Sequence, residues 1–230
     1  MNQTIVFVPG HMCDERLFSY QIKFFENKYN IITADLTKRD TVHQSALDIL
    51  KNAPKSFILV GLSMGGIVAM EIARIAQERI AKLVLIGTNP YADKPDVISI
   101  RESLIKKVEE GDLFEVISQQ YIPKYFTHKP EDKKLKELCL NMALKLGSEV
   151  FIHQSRALIS RPCQMNTLKS LKCKTLIIYG REDIICPLSL HLDMKKFLIN
   201  SELEILDNTG HLSVLENPLV ANSSIYRFLI

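Results

Sequence analysis

Residues 60–69 read VGLSMGGIVA: an apolar run ends, Ser63 stands between Gly61 and Gly65, and a helix-like pattern begins. Gly61-Leu62-Ser63-Met64-Gly65 fits G-x-S-x-G, in which a serine occupies a strained strand-to-helix turn that exposes its hydroxyl. The flanking glycines keep so crowded a backbone free of Cβ clashes. The helix that starts there adds a field favourable to developing negative charge. A small-residue turn that only packs a helix tightly on a strand has the same local sequence, so the surrounding chain has to decide.

Similar apolar runs recur along the chain. They are Ile5–Val8 before Pro9-Gly10, Ile31–Ala34 before Asp35, and Phe57–Val60 before Gly61. Later come Leu83–Ile86 before Gly87, Leu176–Tyr179 before Gly180, and Leu203–Leu206 before Asp207. Rich in Ile, Val and Leu, they predict strands buried on both faces. Helical patterns lie between several of them; Ile67, Met70, Ala73 and Ile75 are interleaved with Glu71, Arg74, Gln77 and Glu78. Strands alternating with helices predict an α/β fold on a parallel sheet, whose ligands sit at the carboxyl ends of the strands. From about Thr88 to Lys172 the pattern is helical throughout, which predicts a helical cap inserted at about 88–172 into a single domain spanning 1–230.

Composition bounds the function. With 230 residues, 47% hydrophobic and 24% charged, the chain has the make-up of a soluble globular domain. A formal net charge of +3 implies no nucleic-acid partner. No apolar run is long enough for a membrane span, and MNQTIVFVPG lacks the basic leader of a signal peptide. The five cysteines are scattered, with no C-x-x-C pair and no zinc spacing. They read as reduced thiols of a cytoplasmic protein. Residues 101–174 hold fourteen Lys/Arg and nine Asp/Glu, a net of +5, which leaves −2 for the remainder.

A serine nucleophile needs a base, and the base needs an acid to hold its tautomer. His211, in LDNTGHLSVLENP, follows the last apolar run and a Thr-Gly turn; His43, His128, His153 and His191 have no strand end beside them. Asp183, in LIIYGREDIICP, follows the run before it, with Glu182 and Asp207 as nearby substitutes. The chain order Ser63, Asp183, His211 is that of the G-x-S-x-G hydrolases. Two backbone donors complete such a site: the N–H of Met64, directly after the serine, and that of His11, after the Pro9-Gly10 turn. His11 as an alternative base is the weaker reading, because its tight turn suits a backbone role.

Together, VFVPGHMCDERLF, VGLSMGGIVAMEIA, LVLIGT, TLIIYGREDIICP and TGHLSVLENP resemble the α/β-hydrolase superfamily over nearly the whole chain outside the cap. Within it the chain is similar to small lidded carboxylesterases, including those that cleave pimeloyl-carrier-protein methyl ester. The resemblance implies a Ser–His–Asp triad, no metal and no cofactor. Two departures stand out: Pro9-Gly10 replaces a common His-Gly, and the chain begins at the strand usually counted third. The sheet is therefore expected to have about six strands, mostly or wholly parallel, flanked by helices. The expected activity is cleavage of a carboxylic ester, a thioester or a carrier-bound acyl ester through an acyl-enzyme. Rival readings on the same scaffold are a lyase, a haloperoxidase-type enzyme and a small-molecule binding protein. The basic cap suggests an acidic carrier protein or an anionic acyl chain as partner, with Arg156 and Arg161 as contacts.

Overall fold

Six strands form one sheet in the order β2-β1-β3-β4-β5-β6, and every neighbouring pair is parallel. The computed structural model describes residues 3–127 and 132–230; Met1, Asn2 and residues 128–131, among them His128, lie outside it. The strands are β1 (Thr4–Val8), β2 (Asn30–Thr33), β3 (Phe57–Leu62), β4 (Ile80–Ile86), β5 (Lys174–Gly180) and β6 (Ser201–Leu206). All six predicted runs are strands, with bounds shifted by a few residues. The chain steps outward from β1 to β2, then returns to place β3 on the other side of β1. That reversal opens a crevice at the carboxyl ends of β1 and β3.

Helices cover both faces. They are α1 (Ser19–Phe25), α2 (Val42–Asn52), α3 (Met64–Ala76), α4 (Pro95–Glu109), α5 (Leu113–Glu115), α6 (Asp132–Ile159), α7 (Met165–Ser170), α8 (Leu188–Phe197), α9 (Ser213–Glu216) and α10 (Pro218–Leu229). Successive side chains of a strand point to opposite faces, and the core divides accordingly. Ile5, Phe7, Ile58, Val60, Val84 and Ile178 pack with Phe18, Phe25, Ile225 and Phe228. Val6, Val8, Leu59, Leu83, Leu85 and Ile177 pack with Ala46, Val68, Ile72, Leu168 and Met194. Two covered faces explain the missing polar alternation. The expectation of burial on both faces fails only for the edge strands, β2 and β6, whose side chains are mostly half-covered. On β6, Glu204 instead accepts from Ser224 Oγ at 3.2 Å and Arg227 Nη2 at 2.7 Å on α10.

Between β4 and β5 most of the described residues are helical. After α4 and α5 it passes through a π-helical turn (Val116–Tyr121) and a 3-10 turn (Ile122–Lys124) before α6, which is broken at Gly147, where φ is +83°. The last piece, α7, packs on α3 and α8 and so covers the sheet rather than its carboxyl edge. Among the described residues no helix is long and apolar enough to cross a membrane.

A buried carboxylate ties this segment to the body. Glu71 on α3 accepts from Arg74 Nη2 at 2.6 Å and Gln164 Nε2 at 2.7 Å, and pairs with His43 Nδ1 on α2 at 2.8 Å. Burial raises the Glu71 pKa, but its bonds to Arg74, His43 and Gln164 outweigh burial and bring it below the usual glutamate value. A depressed carboxylate stabilises the fold above its unfolded pKa and loses that contribution as pH falls through the folded one. Glu71→Gln is therefore expected to cost about 1–3 kcal/mol near neutrality. In urea unfolding from pH 7 to pH 3, the gap to wild type should hold steady until about pH 4.5 and narrow below it.

Candidate active site

Ser63 is the residue between the end of β3 and the start of α3. Its N–H donates to Ile86 O at 2.9 Å, and its carbonyl accepts from Gly66 N at 3.0 Å, Ile67 N at 3.1 Å and Thr88 Oγ1 at 2.7 Å. Held from both sides, it takes φ +54° and ψ −115°, a conformation costly to a residue with a Cβ. The motif glycines are required by close approach. A Cβ on Gly61 would lie 2.4 Å from Gly65 O, and one on Gly65 would lie 1.9 Å from Val8 O. The first turn of α3 thus abuts the end of β1 with no room for a side chain.

The other predicted residues lie at neighbouring strand ends. His211 follows β6, and its Nδ1 sits 2.8 Å from Oδ2 of Asp183, which follows β5. Both side chains are buried. The second oxygen of Asp183, Oδ1, accepts from Ile185 N at 2.8 Å and Cys186 N at 2.9 Å. Burial opposes the Asp183 charge, yet the adjacent His211 and these accepted bonds outweigh it, holding the carboxyl below the usual range. The two substitutes are engaged elsewhere: Glu182 Oε2 accepts from Thr209 N at 2.6 Å, and Asp207 pairs with Arg181 at the surface.

Ser63, Met64, His11 and His211 all line one cavity of about 290 Å³. The N–H groups of His11 and Met64 donate to no protein acceptor among the described residues; that of Met64 opens α3 and so has no intrahelical partner. The His11 side chain packs on Tyr121 and Phe151, with ring centroids 5.1 and 5.2 Å away. Burial, with a smaller contribution from Arg101, pushes its pKa down to about 3. His11 is neutral across the physiological range.

Sequence reasoning missed several residues that shape the cavity. Gly87, at φ +49°, lies against the acid–imidazole pair: a Cβ there would be 3.2 Å from Asp183 Oδ2. The carbonyl of Tyr125 accepts the N–H groups of His211 at 2.9 Å and Leu212 at 3.3 Å, and its ring stacks on His211 at 6.2 Å. Tyr125 belongs to the helical segment, 86 residues from His211, and no local pattern signals that contact. Arg161, named with Arg156 as a contact for an anionic partner, is buried and faces the cavity, ion-paired with Asp93 at 2.6 Å. Arg156 is exposed, 3.5 Å from Glu109.

Asp183, Cys186 and His211 also bring an oxygen, a sulfur and a nitrogen within 4.8 Å of one another. Burial holds the Cys186 thiol protonated, its pKa well above the ordinary value, and both oxygens of Asp183 are already engaged. The trio is an acid–imidazole pair beside a neutral thiol rather than an open ligand set.

This arrangement has recognisable relatives. A model of the alpha/beta hydrolase family matches residues 5–222, and the chain belongs to that family. It is 27% identical to the AB hydrolase superfamily protein YisY of Bacillus subtilis (strain 168), over 97% of this chain and 90% of the relative. It is 24% identical to the pimeloyl-[acyl-carrier protein] methyl ester esterase of Wigglesworthia glossinidia brevipalpis, over 98% and 93% of the two chains. Its fold matches a thermophilic esterase from Thermogutta terrifontis with a TM-score of 0.90 at 22% identity, covering 100% of this chain and 90% of that one. Membership and the two sequence relatives support hydrolysis as the class of chemistry.

The turn geometry generates a steric prediction. Gly65→Ala is expected to lower stability by about 3 kcal/mol or more, because backbone occupies the space of the new methyl. Gly111, at φ +106° with nothing within 4 Å of a built Cβ, is the control. Gly111→Ala should cost only the conformational strain of about 1–2 kcal/mol. Urea midpoints of the two variants measure the difference.

Proposed function

We propose that the protein is a serine hydrolase that cleaves a carboxylic ester through an acyl-enzyme. One observation carries the reading: Ser63, at a strained turn, shares a cavity with His211, whose Nδ1 is bonded to a buried aspartate. With Nδ1 turned to Asp183, His211 has Nε2 left for the serine. In this mechanism Nε2 takes the hydroxyl proton as Ser63 Oγ adds to the ester carbonyl carbon. The oxyanion that forms is met by the N–H groups of Met64 and His11, each worth about 3–4 kcal/mol to the transition state. As the C–O bond of the ester breaks, His211 returns the proton to the leaving alcohol. Water then gives a proton to His211 and its oxygen to the acyl carbon, and collapse frees the acid and restores Ser63.

The helical segment between β4 and β5 acts here as a cap that closes the crevice from water. Gln154 on α6 anchors it to the body: Oε1 accepts Met12 N–H at 2.8 Å, and Nε2 donates to Leu36 O at 3.2 Å. The bond cleaved is a carboxylic ester or thioester of a small acyl group, free or held on an acidic carrier protein. Its hydrolysis requires no cofactor.

A small fluorophosphonate, followed by intact mass and peptide mapping, is expected to add once, at Ser63. Ser63→Ala should lose both labelling and ester hydrolysis. Asp183→Asn, which leaves His211 the wrong tautomer, should lower kcat about 10⁴-fold. A folded protein that takes no label, and releases no acid from a panel of short esters and thioesters, would overturn this reading in favour of a small-molecule binding protein. Turnover without alcohol or thiol release would favour a lyase or haloperoxidase-type enzyme.

A further inference from the structure

The cavity that Ser63 lines is also lined by three charged residues from separate parts of the helical segment: Asp93 from the loop after β4, Arg101 from α4 and Arg161 from just beyond α6. Arg161 is fully engaged in holding this group together. Its Nη2 pairs with Asp93 Oδ1 at 2.6 Å, its Nε donates to Tyr91 O at 2.9 Å, and its Nη1 donates to Leu158 O at 3.1 Å. The Arg161 and Asp93 side chains are 3% and 4% exposed. The second oxygen of Asp93, Oδ2, accepts Arg101 Nε at 2.7 Å.

Two guanidinium groups thus share one carboxylate, and one positive charge is left over. Among the described residues, Asp93 and the two arginines are the only permanently charged ones lining the cavity. No other described residue on its wall balances the excess. Its field is felt across the space: Arg101 helps to push the His11 pKa down to about 3.

The leftover charge has a direction as well as a sign. Arg101 uses only Nε on the protein; its Nη1 and Nη2 donate to no group among the described residues. Its side chain is 19% exposed, against 4% for Asp93, and it lines the cavity. Paired Nη donors match the two oxygens of a carboxylate in a bidentate fork. Neutralising a charge inside a closed wall is worth more than the same contact at a surface.

We propose that the cavity takes an ester bearing a free carboxylate, gripped by the Nη atoms of Arg101 while Ser63 meets the ester carbonyl. The chemistry rests on the hydrolase reading above; the grip does not. Asp93 sets the angle of Arg101, and Arg161 keeps Asp93 in place. A monoanion matches the single unpaired charge, whereas a phosphate dianion overbalances it. The volume of about 290 Å³ suits a small hemi-ester.

The test compares isosteric pairs that differ only in charge. The mono-4-nitrophenyl ester of glutaric acid is set against that of glutaramic acid, with the charge on the acyl side. Butyrate esters of 4-hydroxybenzoate and 4-hydroxybenzamide place it on the leaving group. In wild type, at least one acid is expected to exceed its amide twin in kcat/KM by about tenfold or more, mainly through KM. Arg101→Gln should bring that ratio close to one, and Arg101→Lys, which keeps the charge without the fork, should restore only part of it. If Arg101→Gln does not fold, Arg101→Lys carries the comparison. Equal rates within both pairs, or a preference that survives loss of Arg101, would overturn the proposal while leaving ester hydrolysis intact. If wild type cleaves none of the four, titration calorimetry with glutaramate reads the grip alone. Binding weakened about tenfold or more in Arg101→Gln supports it; equal binding, or none, overturns it.

Discussion

The contact between the first turn of α3 and the end of β1 is the constraint on which the site depends. With the Val8 carbonyl 1.9 Å from where a Gly65 Cβ would lie, the helix begins against the strand with no gap. The chain can make so abrupt a change from strand to helix only by forcing Ser63 to positive φ. Because β1 is also the strand beside which the topology reverses, the same contact brings the Pro9-Gly10-His11 loop next to the turn. One steric fact therefore sets the position of Ser63 and of both N–H groups beside it.

The acid–imidazole pair depends on a different balance. A buried carboxylate is tolerated only when its oxygens are engaged, and those of Asp183 are: one by two N–H groups of its own turn, the other by His211. His211 is in turn held through its backbone by Tyr125 of the helical segment. The pair is thus assembled from the ends of β5 and β6 and from residues inserted between β4 and β5. Its geometry belongs to the whole carboxyl edge and not to any one loop.

How much of this is legible in the sequence follows from how local each determinant is. A strand buried on both faces leaves an unbroken apolar run, and its end is marked by the next glycine, proline or aspartate. The places of Ser63, Asp183 and His211 at strand ends are therefore readable, as is the parallel sheet. The choice among Glu182, Asp183 and Asp207 is not. It depends on which carboxylate the turn after β5 aims at the loop after β6, a relation between two segments 28 residues apart. The burial of Arg161 is hidden for a similar reason. Near the end of a basic, helical stretch it has the look of a solvated charge, and only its pairing with Asp93, 68 positions earlier, makes burial affordable. The edge positions of β2 and β6 are likewise properties of strand order, which a single run of residues does not carry.

The insertion between β4 and β5 has a consequence for how such a molecule can change. Ile86 and Lys174 end and begin strands that are hydrogen-bonded neighbours, yet 88 positions separate them (174 − 86). The entropy of closing a loop grows only with the logarithm of its length, so doubling this one would cost the sheet about 0.6 kcal/mol. Lengthening, shortening or rebuilding the inserted helices is therefore almost free for the strands beneath them. The inserted segment carries Tyr125, Arg101 and Arg161, all on the wall of the cavity. The cavity wall can therefore be rebuilt on this scaffold without disturbing the strands, provided the Tyr125 carbonyl that holds His211 is kept in place.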